Sequence, residues 1–297
     1  MNILFTGSNG FLGRNVLPTL KSRFQVVTLD IINADIKSNI SKEIPGIDKK
    51  VDVVLHAAGK AHSIPKTKAE EKVFFDVNYQ GTVNLCKGLE AAGVPKSFIF
   101  ISTVAVYGCD FGENITEEHP LNGNTPYALS KIQAEQFLVE WCEKHDVTLS
   151  IIRPSLIAGP NPPANLGDMI KGIKSRGYLS IAKGKARKSI LMVQDITTLI
   201  PLLIENGGIY NVCSDEQPSF AELAETIAKQ LGKKRPLNIP YWLAKALALV
   251  GNLFGNKAPI NSLKLKKIIE SLTFSNEKIK RELGWQPSNI LENFKIQ

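Results

Sequence analysis

Two side chains in the sequence are spaced for acid and base chemistry. Tyr127 and Lys131 lie four residues apart in a stretch with helical periodicity, so both project from the same side of the predicted helix. An ammonium group beside a phenol favours the phenolate, which makes the tyrosine a usable base near neutral pH. Alone, this spacing is weak evidence, because such a pair is more often a surface tyrosine with a solvated lysine.

A glycine-rich turn near the N-terminus is spaced to hold a diphosphate. Gly7, Gly10 and Gly13 follow the first predicted strand and open a helix, so backbone amides and the helix N-terminus converge on one point. The next predicted strand ends at Asp30, where a carboxylate can accept hydrogen bonds from a ribose diol. Together these features predict a dinucleotide site. The carboxylate repels a 2′-phosphate, which favours NAD, although Arg14 nearby leaves NADP open.

Alternating strands and helices are predicted to position these residues. Short apolar runs alternate with longer amphipathic stretches, a pattern typical of an α/β fold of the Rossmann type, with a doubly wound parallel sheet that binds ligands at the carboxyl ends of its strands. The strands are expected at residues 2–5, 25–29, 51–55, 97–101 and 148–152, and two more, at 189–193 and 209–212, are expected to return to the sheet.

A smaller, mostly helical lobe is expected after the first half of the chain. A turn rich in glycine and proline follows Arg153, and helical stretches are predicted at 220–231, 241–254 and 262–272. We therefore predict a dinucleotide-binding domain of residues 1–163 with 186–218. Residues 164–185 with 219–297 are predicted to form the substrate-binding lobe.

Further motifs follow in a recognisable order. They are NADI at 33–36, HAAG at 56–59, NYQGT at 78–82, STVAVYG at 102–108, YALSK at 127–131, RPSLIAGP at 153–160 and IKRELGWQP at 279–287. With the glycine turn, they resemble the extended short-chain dehydrogenase/reductases, the NAD-dependent epimerase/dehydratase family, over nearly the whole chain. Ala158 stands where the family usually has tyrosine, a difference in packing near the cofactor.

The resemblance implies a role for each matching residue. Catalysis would fall to Thr103, Tyr127 and Lys131, with a sugar hydroxyl losing its proton as its carbon gives hydride to nicotinamide. The cofactor would be bound by Gly7, Gly10, Phe11, Leu12, Gly13, Asp30, Asp35, Ile36, Ala57, Ala58, Gly59, Ser102, Tyr127, Lys131 and Pro154. The substrate, a nucleotide-diphosphate sugar, would be bound by Thr103, Asn165, Leu166 and Arg187.

The resemblance also narrows the reaction. Dehydratases of the family carry acidic residues directly after the catalytic threonine, whereas this chain has Val104 and Ala105, so 4,6-dehydration is not expected. The leading expectation is 4-epimerisation of a UDP-hexose or UDP-N-acetylhexosamine in polysaccharide biosynthesis. The first alternative is an NAD(P)H-dependent 4-keto sugar reductase. The second is a non-catalytic dinucleotide-binding regulatory or scaffold protein.

Composition and charge restrict the partners. With 43% hydrophobic and 22% charged residues, the chain is neither disordered nor collagen-like. Its net charge of +8 comes from lysines and arginines, and no aromatic residues are interleaved in the lysine-rich clusters, so no nucleic-acid binding is expected. Helices over 70–92 and 127–145 lie where family members form homodimers. Peripheral membrane attachment through the basic C-terminal helices is left open.

Several other residues suggest structural roles or location. Four widely spaced cysteines without a CxxC pair indicate neither a metal site nor disulfides, and therefore a cytoplasmic protein. The N-terminus indicates a strand rather than a signal peptide, and the apolar stretch 239–255 is too short to span a membrane. His56 and His62 are expected to be structural or adjacent to the cofactor. A stripe at Leu243, Leu247, Val250 and Phe254 is expected to pack the lobe or form a lid.

Overall fold

The structure, a computed structural model, describes residues 1–61, 63–258 and 260–296 and confirms the predicted Rossmann-type α/β fold. Its strands are β1 (Asn2–Thr6), β2 (Gln25–Asp30), β3 (Ile36–Lys37), β4 (Val53–His56), β5 (Ser97–Ile101), β6 (Gly112–Ile115), β7 (Thr148–Pro154), β8 (Leu156–Ala158), β9 (Ser180–Ile181), β10 (Ile190–Met192), β11 (Gly208–Val212), β12 (Asn238–Ile239) and β13 (Leu272–Phe274).

The helices lie between these strands and in the C-terminal third. They are α1 (Phe11–Lys21), α2 (Lys68–Phe75), α3 (Gly81–Ala92), α4 (Pro126–His145), α5 (Ala164–Lys174), α6 (Asp195–Glu205), α7 (Phe220–Gln230), α8 (Tyr241–Gly251), α9 (Ser262–Ile269), α10 (Glu277–Leu283) and α11 (Ile290–Asn293). No helix in the described part of the chain is both long enough and apolar enough to cross a bilayer.

Seven parallel strands form the central sheet in the order β11-β7-β5-β4-β1-β2-β3. The chain winds outward in opposite directions from β1, which pairs with β2 on one side and with β4 on the other. The carboxyl ends of β1 and β4 therefore border the crevice at which doubly wound sheets bind ligands. The glycine turn at Gly7 and the HAAG segment after His56 both open into this crevice.

Each face of the sheet is covered by its own apolar core. Along β1, Ile3 and Phe5 enter the core beneath α1 and α6, whereas Leu4 enters the core beneath α3 and α4. This alternation follows from the two-residue period of a strand, and burial on both sides explains why the sheet strands are continuous apolar runs. Ile279 and Trp285 complete the first core, so a segment assigned to the small lobe also packs on the sheet.

The structure corrects two predictions about secondary structure. The strand predicted at 189–193 does not return to the central sheet, because β11 already pairs with β7 and β10 pairs with β8 instead. The helix predicted over 262–272 ends at Ile269, and Leu272 begins a strand that pairs with β6. In both places the pattern indicated an ordered element but could not reveal which strand lay beside it.

Two further apolar clusters lie in the second half of the chain. One joins Leu166 and Ile173 of α5 to Leu223 and Ile227 of α7. The other joins Ile181 of β9 to residues of α8 and α9. These clusters support a smaller lobe, while its proposed boundaries, residues 164–185 with 219–297, stay a prediction.

Candidate active site

Thr103 and Tyr127 meet at the carboxyl edge of the sheet. Thr103 follows β5 in an extended conformation, and its hydroxyl accepts from the Ala105 amide at 3.1 Å to begin a 3₁₀ turn. Tyr127 is in the first turn of α4, which starts at this place because Thr125 caps it and Pro126 occupies its first position. The Thr103 side chain is near enough to the Tyr127 phenol to influence the pKa of that phenol. The two predicted catalytic hydroxyls can therefore share one substrate oxygen.

Lys131 lies one turn further along α4 and is buried at the ends of β4 and β5. Its Nζ donates to the Ile101 carbonyl oxygen at 2.8 Å and lies 4.5 Å from the centroid of the Phe100 ring. A Cβ added at Gly59 would stand 3.3 Å from the same nitrogen, so glycine here leaves room for the ammonium group. Burial lowers the pKa of Lys131 to about 8.

The expectation that Lys131 lowers the pKa of Tyr127 is wrong for the protein alone. Burial of the ring raises the pKa of the Tyr127 phenol, and the neighbouring Thr103 side chain offsets this only in part. The reason is geometric, because the Lys131 ammonium is directed to the Ile101 carbonyl.

A short π-helical turn beside these residues was not visible in the sequence. Asp76–Gln80 joins α2 to α3 as a continuous helix and buries Asn78. The Asn78 amide nitrogen donates to the Ser130 hydroxyl at 2.9 Å, and its oxygen accepts from the Lys60 amide at 2.7 Å. Such turns occur often at functional sites. This one fixes the loop after β4 to the helix that carries Lys131.

The glycine turn is shaped to let a phosphate group approach the backbone. Gly7 has a φ of +76°, and a Cβ there would lie 2.6 Å from the Ala58 backbone nitrogen. At Gly13 a Cβ would lie 2.4 Å from the Ser8 carbonyl oxygen. No side chain caps α1 at Gly10, and the buried Ser8 hydroxyl has no hydrogen-bond partner among the described residues. These unused donors fit a dinucleotide diphosphate.

Asp30 stands at the end of β2 and is placed for a ribose. One carboxylate oxygen accepts from the Asn9 amide and the other from the Ile31 amide, each at 2.8 Å. Each oxygen keeps a lone pair that a hydroxyl can use. This acceptor and the glycine turn fit a dinucleotide, while the roles predicted for Asp30 and the three glycines in binding it stay a prediction.

Asp35 and Ile36 have structural contacts of their own. The Asp35 carboxylate accepts from the Thr28 amide at 2.8 Å and from the Thr28 hydroxyl at 2.7 Å, and these bonds hold its pKa below the usual value. Ile36 packs partly against the core beneath α3 and α4. Their predicted contact with adenine stays a prediction.

The remaining predicted cofactor residues lie at the start of α1 and at the carboxyl ends of the sheet strands. Phe11 and Leu12 begin α1 and pack partly on the first core. The Ala57 amide donates to the Thr6 carbonyl oxygen at 3.2 Å, and buried Pro154 ends β7. The hydroxyl of Ser102 donates to the Glu135 carboxylate, so this side chain is engaged within the protein.

The predicted substrate residues lie on separate elements. Asn165 is exposed in the first turn of α5, whereas the Leu166 side chain is buried in the core of the lobe, so only its backbone can reach a ligand. Arg187 donates to the Gln217 carbonyl oxygen at 2.7 Å and pairs with Glu222 at 3.6 Å. His62 lies outside the described residues.

A buried ion pair beneath the strand ends was missed by sequence reasoning. Arg153 of β7 and Glu135 of α4 form two hydrogen bonds, at 2.6 and 3.1 Å, with side chains 4% exposed. Arg153 also donates to the Tyr107 hydroxyl at 3.1 Å, which donates to Asn211 at 2.6 Å. The only feature of the sequence that pointed to this ion pair was the position of Glu135, one turn after Lys131 on the same helix. The network joins β7, β11 and α4 to the 3₁₀ turn that follows Thr103, and Ser102, the residue before Thr103, also donates to Glu135.

His56 is a structural residue, and its hydrogen bonds define its tautomer. The Thr82 hydroxyl donates to the Asn78 carbonyl oxygen at 2.7 Å, so it must accept from Nε2 of His56 at 2.9 Å. Nδ1 then accepts from the Thr6 hydroxyl at 2.6 Å, which itself accepts from the Ala58 amide. Complete burial lowers the pKa of His56 to about 3 and keeps the ring neutral.

The neutral His56 ring makes stability depend on pH. In the unfolded chain the imidazole titrates near pH 6.5, whereas in the folded protein its pKa is about 3, so the unfolded state binds more protons between these values. Stability is therefore lost as pH falls through this window, by up to about 1.4 kcal/mol per pH unit from this group. Urea unfolding midpoints at pH 7 and pH 5 should show a smaller loss in His56→Gln than in wild type. Equal losses would contradict the assignment.

Comparison with known proteins agrees with this geometry. The NAD dependent epimerase/dehydratase family matches residues 3–213. A UDP-glucose 4-epimerase of Vibrio cholerae is 30% identical over 99% of this chain and 93% of its own length. The N-acetyl-alpha-D-glucosaminyl-diphospho-ditrans,octacis-undecaprenol 4-epimerase of Escherichia coli O157:H7 is 29% identical over 94% of this chain and 88% of its own.

A solved structure shares the fold over the whole chain. The UDP-glucose 4-epimerase of Thermotoga maritima, determined with UDP-glucose, has a TM-score of 0.76 at 20% identity and covers 99% of this chain and 96% of its own. The family match extends from β1 through β11, which includes the glycine turn, Thr103, Tyr127 and Lys131. The chain therefore belongs to the NAD-dependent epimerase/dehydratase family, and it is an enzyme that uses NAD.

Proposed function

We propose that the chain is a 4-epimerase of a UDP-hexose or a UDP-N-acetylhexosamine. The observation that supports the proposal is that Thr103 and Tyr127 lie beside each other at the carboxyl end of β5, where Lys131 also binds the Ile101 carbonyl oxygen. Both relatives described above are 4-epimerases, one of UDP-glucose and one of a sugar on a lipid diphosphate. Val104 and Ala105 after the threonine add no acid or base for dehydration.

The chain's own groups then perform the proton transfers. Thr103 and Tyr127 hydrogen-bond the C4 oxygen of the sugar, and Tyr127 takes the hydroxyl proton when the alcohol is oxidised and returns it when the ketone is reduced. Bound NAD supplies the hydride acceptor and, in its oxidised form, a positive charge that favours the phenolate. Lys131 would hold the nicotinamide ribose from its position beside Gly59. Asn78 keeps the helix that carries Lys131 in register with that loop.

The diphosphate of the substrate has a suitable partner in α5. This helix begins after Pro163 without a side-chain cap, so its first amides are available to an anion. Asn165 and the backbone of Leu166 lie in this first turn. Arg187 would contribute positive charge from the loop before β10, where it is half exposed beside Gln217.

We also propose a homodimer in the cytoplasm. The outer surface of the π-helical turn and α4 carries half-buried rings of Tyr79 and Phe137, 6.3 Å apart, and an exposed Val139. Such a surface suits an interface between copies of the chain. The four cysteines are free thiols, which suits a reducing compartment.

Turnover without added cofactor is the direct test. Purified enzyme incubated with UDP-glucose or UDP-N-acetylglucosamine should yield the C4 epimer, detected by NMR, and denatured enzyme should release stoichiometric NAD. The alternative, reduction of a 4-keto sugar, is supported by a GDP-6-deoxy-D-mannose reductase of Pseudomonas aeruginosa that is 27% identical over 76% of this chain. Oxidation of added NADH or NADPH by a 4-keto sugar, with no retained NAD, would favour it. If neither epimerisation nor reduction is detected, the second alternative is favoured, a non-catalytic dinucleotide-binding regulatory or scaffold protein.

A further inference from the structure

Helix α8 has two apolar faces, and only one is covered. Ala244, Ala248 and Gly251 are buried at helical spacing, and the two alanines join Ile181 and Leu265 in a small core. The opposite face carries large apolar side chains, with Trp242 69% exposed. Soluble helices normally bury the larger residues, so this arrangement is the reverse of that expected for a packed lobe.

The packing expected for this helix is not observed, and the other expected role of its apolar stripe, as a lid, stays a prediction. The stripe expected to pack the lobe includes Val250 and Phe254, which are 58% and 67% exposed, and Leu247, which is 47% exposed. The backbone of α8 at Gly251 is in close contact with Ile260, since a Cβ at Gly251 would lie 1.9 Å from the Ile260 carbonyl oxygen. Rotation of the helix to bury the larger residues would place a side chain where there is no room for one. Backbone contact at this glycine fixes which face points outward.

The exposed face extends beyond α8 onto neighbouring elements. Asn252 accepts from the Ser262 amide at 3.0 Å and donates to the Ser262 hydroxyl at 2.9 Å, which brings the turn after α8 beside the start of α9. This turn and α9 add further exposed apolar side chains. The apolar surface comprises Trp242, Leu249, Val250, Leu253, Phe254 and Leu263, which are 58% to 83% exposed.

Positive charge is concentrated in the same part of the chain. Residues 231–276 contain eight lysines and arginines and a single acidic residue, Glu270, so this segment holds seven of the eight net positive charges of the protein. Lys245 is exposed within α8, and Lys234 is exposed shortly before it. A second copy of the chain placed on this surface would oppose like charges, whereas an anionic lipid surface would complement them.

We propose that the apolar surface docks the enzyme on an anionic lipid bilayer. Helix α8 then lies in the plane of the interface, with its large side chains among the acyl chains and headgroups, and with Lys245 and the preceding Lys234 beside lipid phosphates. Trp242 sits at the end of the helix, a residue type that favours the interface region. The inference goes beyond the proposed reaction and does not depend on it.

Vesicle sedimentation tests the proposal with the full chain. We expect at least about tenfold more protein to sediment with vesicles that contain phosphatidylglycerol than with vesicles of phosphatidylcholine alone, and less at high salt. Leu253→Gln with Phe254→Gln should abolish the difference. A matched control, Ile44→Gln with Ile64→Gln, replaces residues that are 54% and 82% exposed elsewhere and should sediment as wild type.

Intrinsic fluorescence provides a second readout that introduces no polar side chain into the apolar surface. Of the three tryptophans, Trp141 and Trp285 are only 5% and 2% exposed. A change in tryptophan emission on vesicle binding therefore comes from Trp242, which lies in the apolar surface. Its emission should shift to the blue with anionic vesicles and be quenched by brominated lipid, and Trp242→Phe should remove both responses.

Three results would overturn the proposal. They are equal sedimentation with every vesicle composition, sedimentation of the Leu253→Gln, Phe254→Gln variant at the wild-type level, and an unchanged Trp242 spectrum. Loss of a dimer in that variant, measured by light scattering, together with no vesicle binding by wild type, would assign the surface to a second copy instead. Catalytic turnover in solution is a separate measurement, so its failure is distinguishable from failure of docking.

Discussion

Tyr127→Phe is expected to lower kcat by at least about 10³-fold while bound NAD remains in place. The substitution removes one oxygen, the only group at the site that both takes and returns the substrate proton in the proposed reaction, and general acid–base catalysis of this kind contributes about 10²–10⁴-fold. The ring itself is half-buried beside Phe74, with centroids 6.3 Å apart, so the phenylalanine ring can keep its place.

Two measurements separate chemistry from folding in this variant. Denatured Tyr127→Phe enzyme should release as much NAD as wild type, because the glycine turn and Asp30 are unchanged. Tyr241→Phe, which removes the same oxygen from a 45% exposed ring, is the matched control and should keep wild-type kcat. Activity of Tyr127→Phe within about twofold of wild type would exclude this phenol as the proton carrier.

The sheet and the glycine turn were the most predictable parts of the molecule. Ser97–Ile101 was predicted at its observed bounds because a fully buried parallel strand is a continuous apolar run between turn signals. The turn was predictable because close backbone approach at Gly7 and Gly13 admits no side chain. Both signals are local in the sequence.

Features that depend on contacts between distant segments were not predictable. Periodicity indicated a strand near Ile190 but not that it would pair with β8, and helical spacing placed Lys131 near Tyr127 but not toward the Ile101 carbonyl. The π turn at Asn78 leaves no mark on the apolar pattern. For α8, hydrophobicity alone could not tell which of two apolar faces would be covered.

The Glu135–Arg153 pair is the clearest case of a distant contact, and it leads to the second large effect. Glu135→Gln should lower the free energy of unfolding by about 3–5 kcal/mol, because it leaves the Arg153 guanidinium buried without a compensating charge. The loss also removes the charged acceptor of the Ser102 hydroxyl. Denaturant unfolding should be followed after removal of bound NAD, since a ligand that binds only the folded state adds stability.

A control and a double variant decide whether burial is the cause. Glu225→Gln makes the same change in an ion pair with Arg235 that is 61% and 64% exposed, and it should cost no more than about 1 kcal/mol.

The double variant Glu135→Leu with Arg153→Met should be more stable than Glu135→Gln, because removing both charges also removes the cost of burying one alone. If Glu135→Gln were no more destabilising than Glu225→Gln, the pair could not be what joins β7 and α4 to the turn that follows Thr103. If instead the double variant regained stability but had low kcat, the pair would act by positioning the catalytic hydroxyls rather than by holding the fold together.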